Sequence, residues 1–253
     1  MEFNGRQWTQ FDAVVLRSCW DYHVRVPAFV DWLEELEANE VQVVNPVPIV
    51  RWNLDKRYLQ ELGQHGFSIE PTVWLEPGRP LELGLLLDRQ GWDEAVIKPV
   101  VSASAYGTWR VTRLSGADDQ CRLERMLDRG VVMAQRLNPA VRTTGEWSFV
   151  FLGGEYSHAV LKTPAPNEFR VQEKLGGMVC AAEPPSQLVH EAEQVITAMA
   201  GDAVYARVDG VADCTRLTVM EIELIEPSLF LGFSPDSPIR FADGLVAALS
   251  SGA

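Results

Sequence analysis

The stretch MEIELIEPSLF, at residues 220–230, constrains this chain more than any other segment. Its apolar residues predict a buried β-strand, yet it carries three carboxylates, Glu221, Glu223 and Glu226, just before a proline. Side chains alternate along a strand, so Glu221 and Glu223 share one face. Carboxylates in an interior strand are unfavourable unless they are protonated or bridged by a cation.

A second predicted strand pairs with this stretch. The segment AVYARVDGVA precedes it, and the short turn DCTR joins the two into a hairpin. Hairpin pairing places Asp209 opposite residues 218–221, so three carboxylates converge. Two unit charges of the same sign about 6 Å apart repel by roughly 3 kcal/mol at an effective dielectric constant of about 20. The hairpin therefore predicts a Mg²⁺ site. Water molecules and substrate phosphates would complete the coordination shell of the ion. A solvated strand face with ordinary salt bridges is the alternative.

Two lysines in the first half of the chain are candidates for phosphate binding. Lys98 ends the apolar run EAVI and is followed by the small-residue loop SASA, so it can reach a phosphate while the loop closes over it. Lys56, in NLDKRYL, is by itself typical of a surface helix. Neither the P-loop pattern GxxxxGKS/T nor GxGxxG occurs in the chain. A strand-end lysine that extends to solvent is the alternative for Lys98.

The order of elements predicts an α/β opening followed by an α+β part. Up to about Glu94, strands alternate with helices; one helix starts near Pro27 and another is capped by Asn53. After Glu94, the patterns favour antiparallel strands together with helices.

A hairpin is predicted in the second half at Gly153-Gly154, because this pair is a strong signal for a two-residue turn. A regular hairpin on that turn places His158 and Lys162 on one face of the sheet. It places Glu146 on the other face, so the three side chains would not form one contact shell.

Composition narrows the class of protein. The chain has 253 residues and a formal net charge of −13, which disfavours nucleic acid and anionic membranes as partners. Its four cysteines are scattered without a CxxC pair, a pattern typical of a reducing cytoplasm rather than of a disulfide framework or a zinc site. No apolar run is long enough to span a membrane, and the first residues, MEFNGRQWTQ, are too polar for a signal peptide.

Taken in order, these residues resemble the ATP-grasp superfamily of carboxylate–amine ligases. The shared order is a lysine opening a helix, a strand-end lysine with a small-residue loop, a hinge strand, an arginine segment, and Asp with Glu-x-Glu on a hairpin. The strings VVLRSCWDY, NPVPIVRWNLDKRYL, FRVQ and EIELIEPSLFL narrow the resemblance to the group that includes the O-ureido-D-serine cyclo-ligase of cycloserine biosynthesis. The similarity runs through nearly the whole chain from Phe11.

The resemblance implies roles for individual residues. The residues that it implies for ATP binding are Lys56, Lys98, Ser104, Gly107, Gln135, Arg136 and Leu137. The ligands that it implies for Mg²⁺ or Mn²⁺ are Asp209, Glu221 and Glu223. Arg170 matches the residue at the γ-phosphate, and Arg207 matches an arginine near the acyl transfer. Family members commonly end the metal motif in Glu-x-Asn, so Glu223 adds a negative charge here.

Four further residues are candidates for substrate contacts. Arg17 and Asp21, in RSCWDY, lie just past the end of a strand, where open α/β sheets bind ligands. Arg17 would pair with a substrate carboxylate and Asp21 with an amine; a structural ion pair or a helix cap is the alternative. Gln172, in FRVQ, matches the family segment near the substrate carboxylate, and Lys162 lies on the hairpin.

The resemblance also implies a fold. An incomplete α/β N-terminal domain, residues 1–52, is followed by an α+β ATP-grasp fold that binds the nucleotide between two antiparallel-sheet subdomains, residues 53–133 and 134–253. Family members usually begin with a strand and a helix ahead of FDAVVLRS, so either the start of this chain is misassigned or its N-terminal domain is truncated.

The activity that the resemblance implies is ATP-dependent ligation. A carboxylate attacks the γ-phosphate to give an acyl phosphate and ADP, and an amine then displaces phosphate to form an amide. The first interpretation is a small amino-acid-like substrate, with ring closure as one form of the reaction. A ligase that adds amino acids to a peptide or protein is the second, and a non-catalytic, truncated ATP-binding module is the third. ATP and the small substrate are the expected partners, and a homodimer is left open because relatives are often dimers.

Overall fold

The computed structural model describes residues 7–79, 81–166, 168–213 and 215–251. The chain divides into two compact units. The first unit runs to Ile69 and resumes at Ala140, and the second is Glu70–Pro139. This division by contacts is coarser than the three predicted domains, whose boundaries stay a prediction.

The first unit opens with a two-stranded parallel sheet, in which β1 (Val14–Val15) pairs with β2 (Val43–Val44). Between the two strands lies α1 (Val26–Ala38), which has Pro27 in its first turn, as predicted. The helix buries Phe29, Trp32, Leu33 and Leu36. These residues recur every three or four positions, so they form one apolar stripe that packs into the core. α2 (Val47–Asn53) and α3 (Tyr58–Gln64) follow.

The second unit is built from four antiparallel strands and two helices. In chain order these are β3 (Thr72–Leu75), α4 (Leu83–Gln90), β4 (Glu94–Pro99), β5 (Trp109–Thr112), α5 (Ala117–Leu127) and β6 (Val132–Arg136). The strand order is β3–β6–β4–β5. Leu87 of α4, Ile97 of β4 and Leu123 of α5 are fully buried in one cluster, so both helices contribute to the core of this unit.

The rest of the first unit contains the larger sheet. Its elements are α6 (Ala140–Thr143), β7 (Glu146–Leu152), β8 (Glu155–Thr163), β9 (Met178–Ala181), α7 (Ser186–Ala200), β10 (Tyr205–Ala212), β11 (Leu217–Glu223) and α8 (Ser237–Ser251). The five strands are antiparallel, in the order β11–β10–β7–β8–β9. The predicted fold class, an α/β opening followed by antiparallel sheets with helices, is confirmed.

The β7–β8 hairpin corrects one prediction. Gly153 and Gly154 form its two-residue turn, both with positive φ, as expected. However, Phe151 pairs with Tyr156 whereas Val150 pairs with His158, so Ser157 is an extra residue in β8. Such a bulge shifts the register by one residue and exchanges the faces beyond it. Glu146 consequently pairs directly with Lys162, and the prediction that the two lie on opposite faces is wrong.

The role predicted for Asn53 is also wrong. Asn53 is the last residue of α2 instead of the cap of the next helix, and its side chain is buried. Its amide is used by β11, as described below. Within the described ranges, no helix combines the length and the apolar character that crossing a bilayer requires.

Candidate active site

The candidate site is built on the β10–β11 hairpin. Asp209 pairs with Glu221, and Arg207 pairs with Glu223, which confirms the predicted position of Asp209 across the hairpin. The register shifts between Asp209 and Gly210, where Met220 is the extra residue. Because residues that pair directly in a ladder share a face, these four charged side chains project from one side of the sheet.

Arg207 lies at the centre of this face and is buried. Its Nε and Nη2 donate to the two oxygens of Asp209 at 2.8 and 2.7 Å, and Nη2 also binds Glu223. Nη1 donates to the carbonyl of Ser228 at 3.1 Å. Burial disfavours the charge, but Asp209 and Glu223 together outweigh it and raise the pKa of Arg207. The guanidinium is therefore permanently charged and held in one orientation.

Asp209 is fully engaged by protein donors. Besides Arg207, its Oδ1 accepts from the hydroxyl of Ser148 at 2.5 Å, and its Oδ2 accepts from Lys162 Nζ at 3.1 Å. Burial by itself would raise the pKa of this carboxyl, but Arg207 and Lys162 hold the pKa well below its usual range. Asp209 is thus a buried carboxylate that holds two cations in place.

Lys162 extends the row of charges toward β7. Its Nζ lies 2.5 Å from Glu146 Oε1; Lys162 is buried and the Glu146 side chain is 12% exposed. Burial raises the pKa of Glu146, while Lys162 opposes the rise. The charges alternate in sign along the row Glu146, Lys162, Asp209, Arg207 and Glu223. Each cation is flanked by two carboxylates, so the row compensates itself internally.

Lys56 and Glu221 add a sixth and a seventh charge to this face. Lys56 Nζ lies 3.1 Å from Glu221 Oε1. Lys56 lies between α2 and α3, and its side chain is buried despite its surface-like sequence context. Three cations against four carboxylates leave this set of seven side chains with one formal negative charge.

The outer edge of β11 is satisfied by side chains from the α2–α3 region. The Tyr58 hydroxyl donates to Ile222 O and accepts from Ile222 N, both at 2.9 Å. Asn53 donates to Ile222 O at 2.8 Å and accepts from Leu224 N at 2.9 Å. These bonds pair the backbone groups that an edge strand leaves open. They also position Lys56, which lies between Asn53 and Tyr58 in the chain.

The donor chemistry of this face fits a hard divalent cation at Glu221 and Glu223. Their side chains are 27% and 29% exposed, and Mg²⁺ commonly takes one or two protein carboxylates. Asp209 is different, because both of its oxygens already accept from protein donors. As arranged, no three His, Cys, Asp or Glu side chains of the described ranges are grouped so as to hold a metal ion.

The phosphate-binding loop predicted in the second unit follows β4. Lys98 lies in β4 opposite Met133, and the loop that follows contains Ser104 and Gly107 with φ of 53° and 65°. A Cβ on Gly107 would lie 3.2 Å from the ring of Pro99. The left-handed backbone and this close approach explain why glycine occupies position 107.

The predicted hinge strand is β6. Gln135 is buried and donates to Thr72 Oγ1 at 3.3 Å, and Leu137 is buried as well. Arg136 Nε donates at 2.7 Å to Glu70, whose side chain is fully buried. Glu70 also accepts from Asn138 Nδ2 at 2.9 Å, so it anchors both ends of the short segment 136–138. The sequence provided no signal for Glu70, because only the fold buries it.

Several predicted residues are engaged elsewhere. Asp21 pairs with Arg25 at 2.7 Å on the surface. Arg170 forms a two-pronged pair with Glu168, two residues away, with bonds of 3.1 and 2.8 Å. This arginine lowers the pKa of Glu168 to about 2. Within the described residues, the buried Oε1 of Gln172 has no hydrogen-bond donor.

Known proteins resemble this chain in sequence and in fold. Residues 4–45 match the family described as D-cycloserine synthetase DcsG, N-terminal domain. The cycloserine biosynthesis protein DcsG of Streptomyces lavendulae is 31% identical over 261 residues, which cover 96% of this chain and 85% of the relative. The chain belongs to the ATP-grasp ligases, in the family of DcsG. A crystal structure of D-cycloserine synthetase DcsG superposes with a TM-score of 0.86 at 29% identity, covering 98% of this chain and 88% of the other.

More distant ATP-grasp structures share the fold. The structure of the D-alanine–D-alanine ligase of Bacillus anthracis, determined with ATP, superposes with a TM-score of 0.65 at 18% identity. The match covers 87% of this chain and 74% of the ligase chain. The ATP-grasp ligase PsnB, determined with a precursor variant, Mg and ADP, has a TM-score of 0.60 at 16% identity, with coverages of 89% and 68%. This ATP-grasp chain is an enzyme that forms carbon–nitrogen bonds by coupling a carboxylate to an amine with ATP. Use of ATP and Mg²⁺ is a general property of its family.

Proposed function

We propose that this ligase activates the carboxylate of a small amino-acid-like substrate and couples it to an amine, with the face around Arg207 as the centre of acyl transfer. The observation that carries the proposal is the fixation of the Arg207 guanidinium between Asp209 and Glu223. Such a preorganised cation stabilises an oxyanion without reorganising during the reaction. The burial of this face favours a small substrate over a bulky one.

The reaction proceeds in two steps. An oxygen of the carboxylate attacks the γ-phosphorus of ATP, the bond to ADP breaks, and an acyl phosphate forms. The amine nitrogen then attacks the acyl carbon, phosphate leaves with the bonding electron pair, and the nitrogen gives up a proton. When the amine belongs to the same molecule, the product is a ring. The relative's part in cycloserine biosynthesis supports a small substrate of this kind.

Each candidate residue has a proposed role in binding or in acyl transfer. Mg²⁺ held by Glu221 and Glu223, with Asp209 as the third predicted ligand, would offset charge on the phosphates. Lys56 offers a buried ammonium beside Glu221, and Arg207 is proposed to stabilise the developing oxyanion. In the second unit, the residues proposed for the nucleotide are Lys98, Ser104, Gly107, Gln135, Arg136 and Leu137. Arg170 is proposed at the γ-phosphate, and Arg17, Lys162 and Gln172 at the substrate.

The first test is release of ADP from ATP and Mg²⁺ in the presence of a panel of small amino-acid-like carboxylates, with short peptides in parallel. We expect turnover with the small compounds. Turnover that requires a peptide would instead establish a ligase acting on peptide termini. Binding of ATP without turnover of either class of compound would instead indicate a non-catalytic ATP-binding module.

Binding is tested separately by thermal shift with ATP and Mg²⁺. A ligand at about 100 times its dissociation constant stabilises by about 2.7 kcal/mol. We expect that shift in the wild type and its loss in the double variant Glu221→Ala/Glu223→Ala. The matched control is Glu183→Ala/Glu193→Ala, which removes two exposed acids of the same unit and should keep the shift. An equal shift in both double variants would refute the metal role of the hairpin glutamates.

A further inference from the structure

The segment 224–230, which follows β11, has an uncommon backbone environment. It has no regular secondary structure, yet its successive carbonyls accept hydrogen bonds from side chains. The bonds are Leu224 O from Asn45, Ile225 O from Tyr205, Glu226 O from Trp20, Pro227 O from Arg17, Ser228 O from Arg207, and Leu229 O and Phe230 O from His158. All of these donors belong to the first unit. We call residues 224–230 the pinned segment, because its conformation is fixed from outside.

Glu226 is the only acidic residue in the pinned segment, and it is only 9% exposed. Among the described residues, no hydrogen-bond donor or cation pairs with its carboxyl group, although the backbone of the same residue is bonded. The other buried acids of the described residues differ: Glu70 is paired with Arg136 and Asp209 with Arg207. Glu146, which is partly buried, is paired with Lys162.

Cations are close to Glu226 but are committed to other partners. Lys56 and Arg207 both interact electrostatically with Glu226, yet Lys56 pairs with Glu221 and Arg207 with Asp209 and Glu223. Arg17 is also within electrostatic reach, and it donates to the carbonyl of Pro227. A largely buried carboxyl without a protein partner is unfavourable. Its oxygens are not among the fully enclosed, unpartnered side-chain atoms of the described residues, so a partner from outside the chain can reach them.

We propose that Glu226 recognises the ammonium group of the amino-acid-like substrate, and that the pinned segment holds its carboxylate in position to do so. The inference rests on the proposed function and names the residue that selects an amine-bearing substrate. An ammonium group supplies one positive charge and three hydrogen-bond donors. These are the partners that the carboxylate of Glu226 lacks within the described residues. Asp21, to which the sequence assigned the amine, is paired with Arg25 on the surface.

Proximity to the reaction centre supports this assignment. Glu226 lies three residues beyond Glu223, and the neighbouring carbonyl of Ser228 is held by Arg207 itself. A substrate whose amine binds Glu226 is thereby tied to the same rigid backbone as the guanidinium. Burial, followed by the charge of Glu223, raises the pKa of Glu226 to about 8. An ammonium ion beside it favours the ionised form and reverses this shift.

The test uses Glu226→Gln, which keeps the size of the side chain and removes its charge. ADP release is measured with α-amino carboxylates and with their α-hydroxy analogues, and KM is determined for each and for ATP. We expect KM for the amino compounds to rise about 10- to 100-fold, the usual effect of one lost hydrogen bond to a charged group. KM for ATP should stay within about twofold, and the preference for amino over hydroxy compounds should collapse.

Two controls accompany this variant. Glu226→Asp, which retracts the carboxylate by one methylene, should show the same change to a smaller degree and serves if the glutamine variant does not fold. Glu183→Gln, at an exposed glutamate of the same unit, should behave as the wild type. An unchanged KM for the amino compounds and an unchanged preference in both Glu226 variants would overturn the proposal.

A binding measurement separates this proposal from the proposed function. Thermal shift with the same α-amino and α-hydroxy acids, without ATP, needs no turnover. A shift with the amino acids that is lost in Glu226→Gln supports the assignment even if no ADP is released, in which case the ligase proposal alone fails. If the wild type releases ADP but Glu226→Gln binds amino acids equally well, the assignment of Glu226 alone fails.

Discussion

Glu146 pairs directly with Lys162 across the β7–β8 ladder, and their side chains form a 2.5 Å ion pair on the face that carries Arg207. This contact exists because Ser157 is bulged out of β8. Without the bulge, Glu146 would point to the opposite face and Lys162 would lose one of its two carboxylates. One extra residue near the turn therefore completes the row of alternating charges.

Replacing Lys162 should be strongly destabilising. Lys162→Met leaves Glu146 and Asp209 without their shared cation, and breaking a buried pair from one side costs about 3–5 kcal/mol. The double variant Glu146→Leu/Lys162→Met should lose less than the sum of the two single changes, since it removes one stranded carboxylate. Denaturant unfolding of the four proteins in this cycle measures the coupling. Simple additivity would contradict the pairing.

Replacing Arg207 by lysine should reduce the rate while retaining the charge. Lysine cannot reproduce the two parallel bonds to Asp209 together with the contact to Glu223. We expect kcat for ADP release to fall about 100-fold or more, as for other oxyanion-stabilising donors. Arg216→Lys, at an exposed arginine in the same unit, is the control. A kcat close to that of the wild type would show that the guanidinium is not required for transfer.

Two glycines of the second unit should respond to alanine in opposite ways. Gly107 has φ of 65° and a crowded Cβ position, so Gly107→Ala should destabilise by at least about 1 kcal/mol and weaken ATP binding. Gly84 is the second residue of α4 and an added Cβ would make only an ordinary contact at 3.9 Å, so Gly84→Ala should stabilise by about 0.4–1 kcal/mol. Thermal unfolding of both variants compares them; destabilisation of equal size would contradict this account.

The edge of β11 depends on one hydroxyl group. Tyr58→Phe removes the donor to Ile222 O and the acceptor for Ile222 N at a fully buried position. The expected loss is about 1–3 kcal/mol, the cost of leaving buried polar groups unpaired. Tyr156→Phe changes a half-buried tyrosine whose hydroxyl does not make this pair of hydrogen bonds. It should change the free energy of unfolding by less than about 0.5 kcal/mol. Equal effects of the two variants would show that the bonds to Ile222 are unimportant.

Glu226 should make stability fall as the pH rises. Its pKa in the folded state is about 8, above the unfolded value of 4.5. Burial is the largest cause, and the negative charges of Glu223 and Glu221 also raise the pKa. Lys56 and Arg207 lower it, but by less. The folded state therefore binds more protons than the unfolded state in this range, and its stability decreases between pH 4.5 and about 8. Glu226→Gln should be more stable than the wild type at pH 8, with the difference shrinking toward pH 5. Thermal unfolding across this range measures it, and a difference independent of pH would be inconsistent with the burial of a titrating acid.

Local patterns predicted much of this protein because the forces behind them are local. The stripe of Phe29, Trp32, Leu33 and Leu36 predicted α1, and Gly153-Gly154 predicted the β7–β8 turn. Alternation along MEIELIEPSLF placed Glu221 and Glu223 on one face, opposite Asp209. The order of the charged motifs was sufficient to recognise the ATP-grasp family, which the comparisons confirm.

What the sequence by itself determined is which segments form strands and helices and which family the chain belongs to. The tertiary structure alone decided which charges meet. The bulge at Ser157, the commitment of Asn53 to β11 and the burial of Lys56 all depend on contacts between residues far apart in the chain. So does the unpaired carboxyl of Glu226, because burial and the absence of a partner within the described residues are properties of a three-dimensional neighbourhood. Electrostatic pairing acts through space, and spacing along a sequence does not specify it.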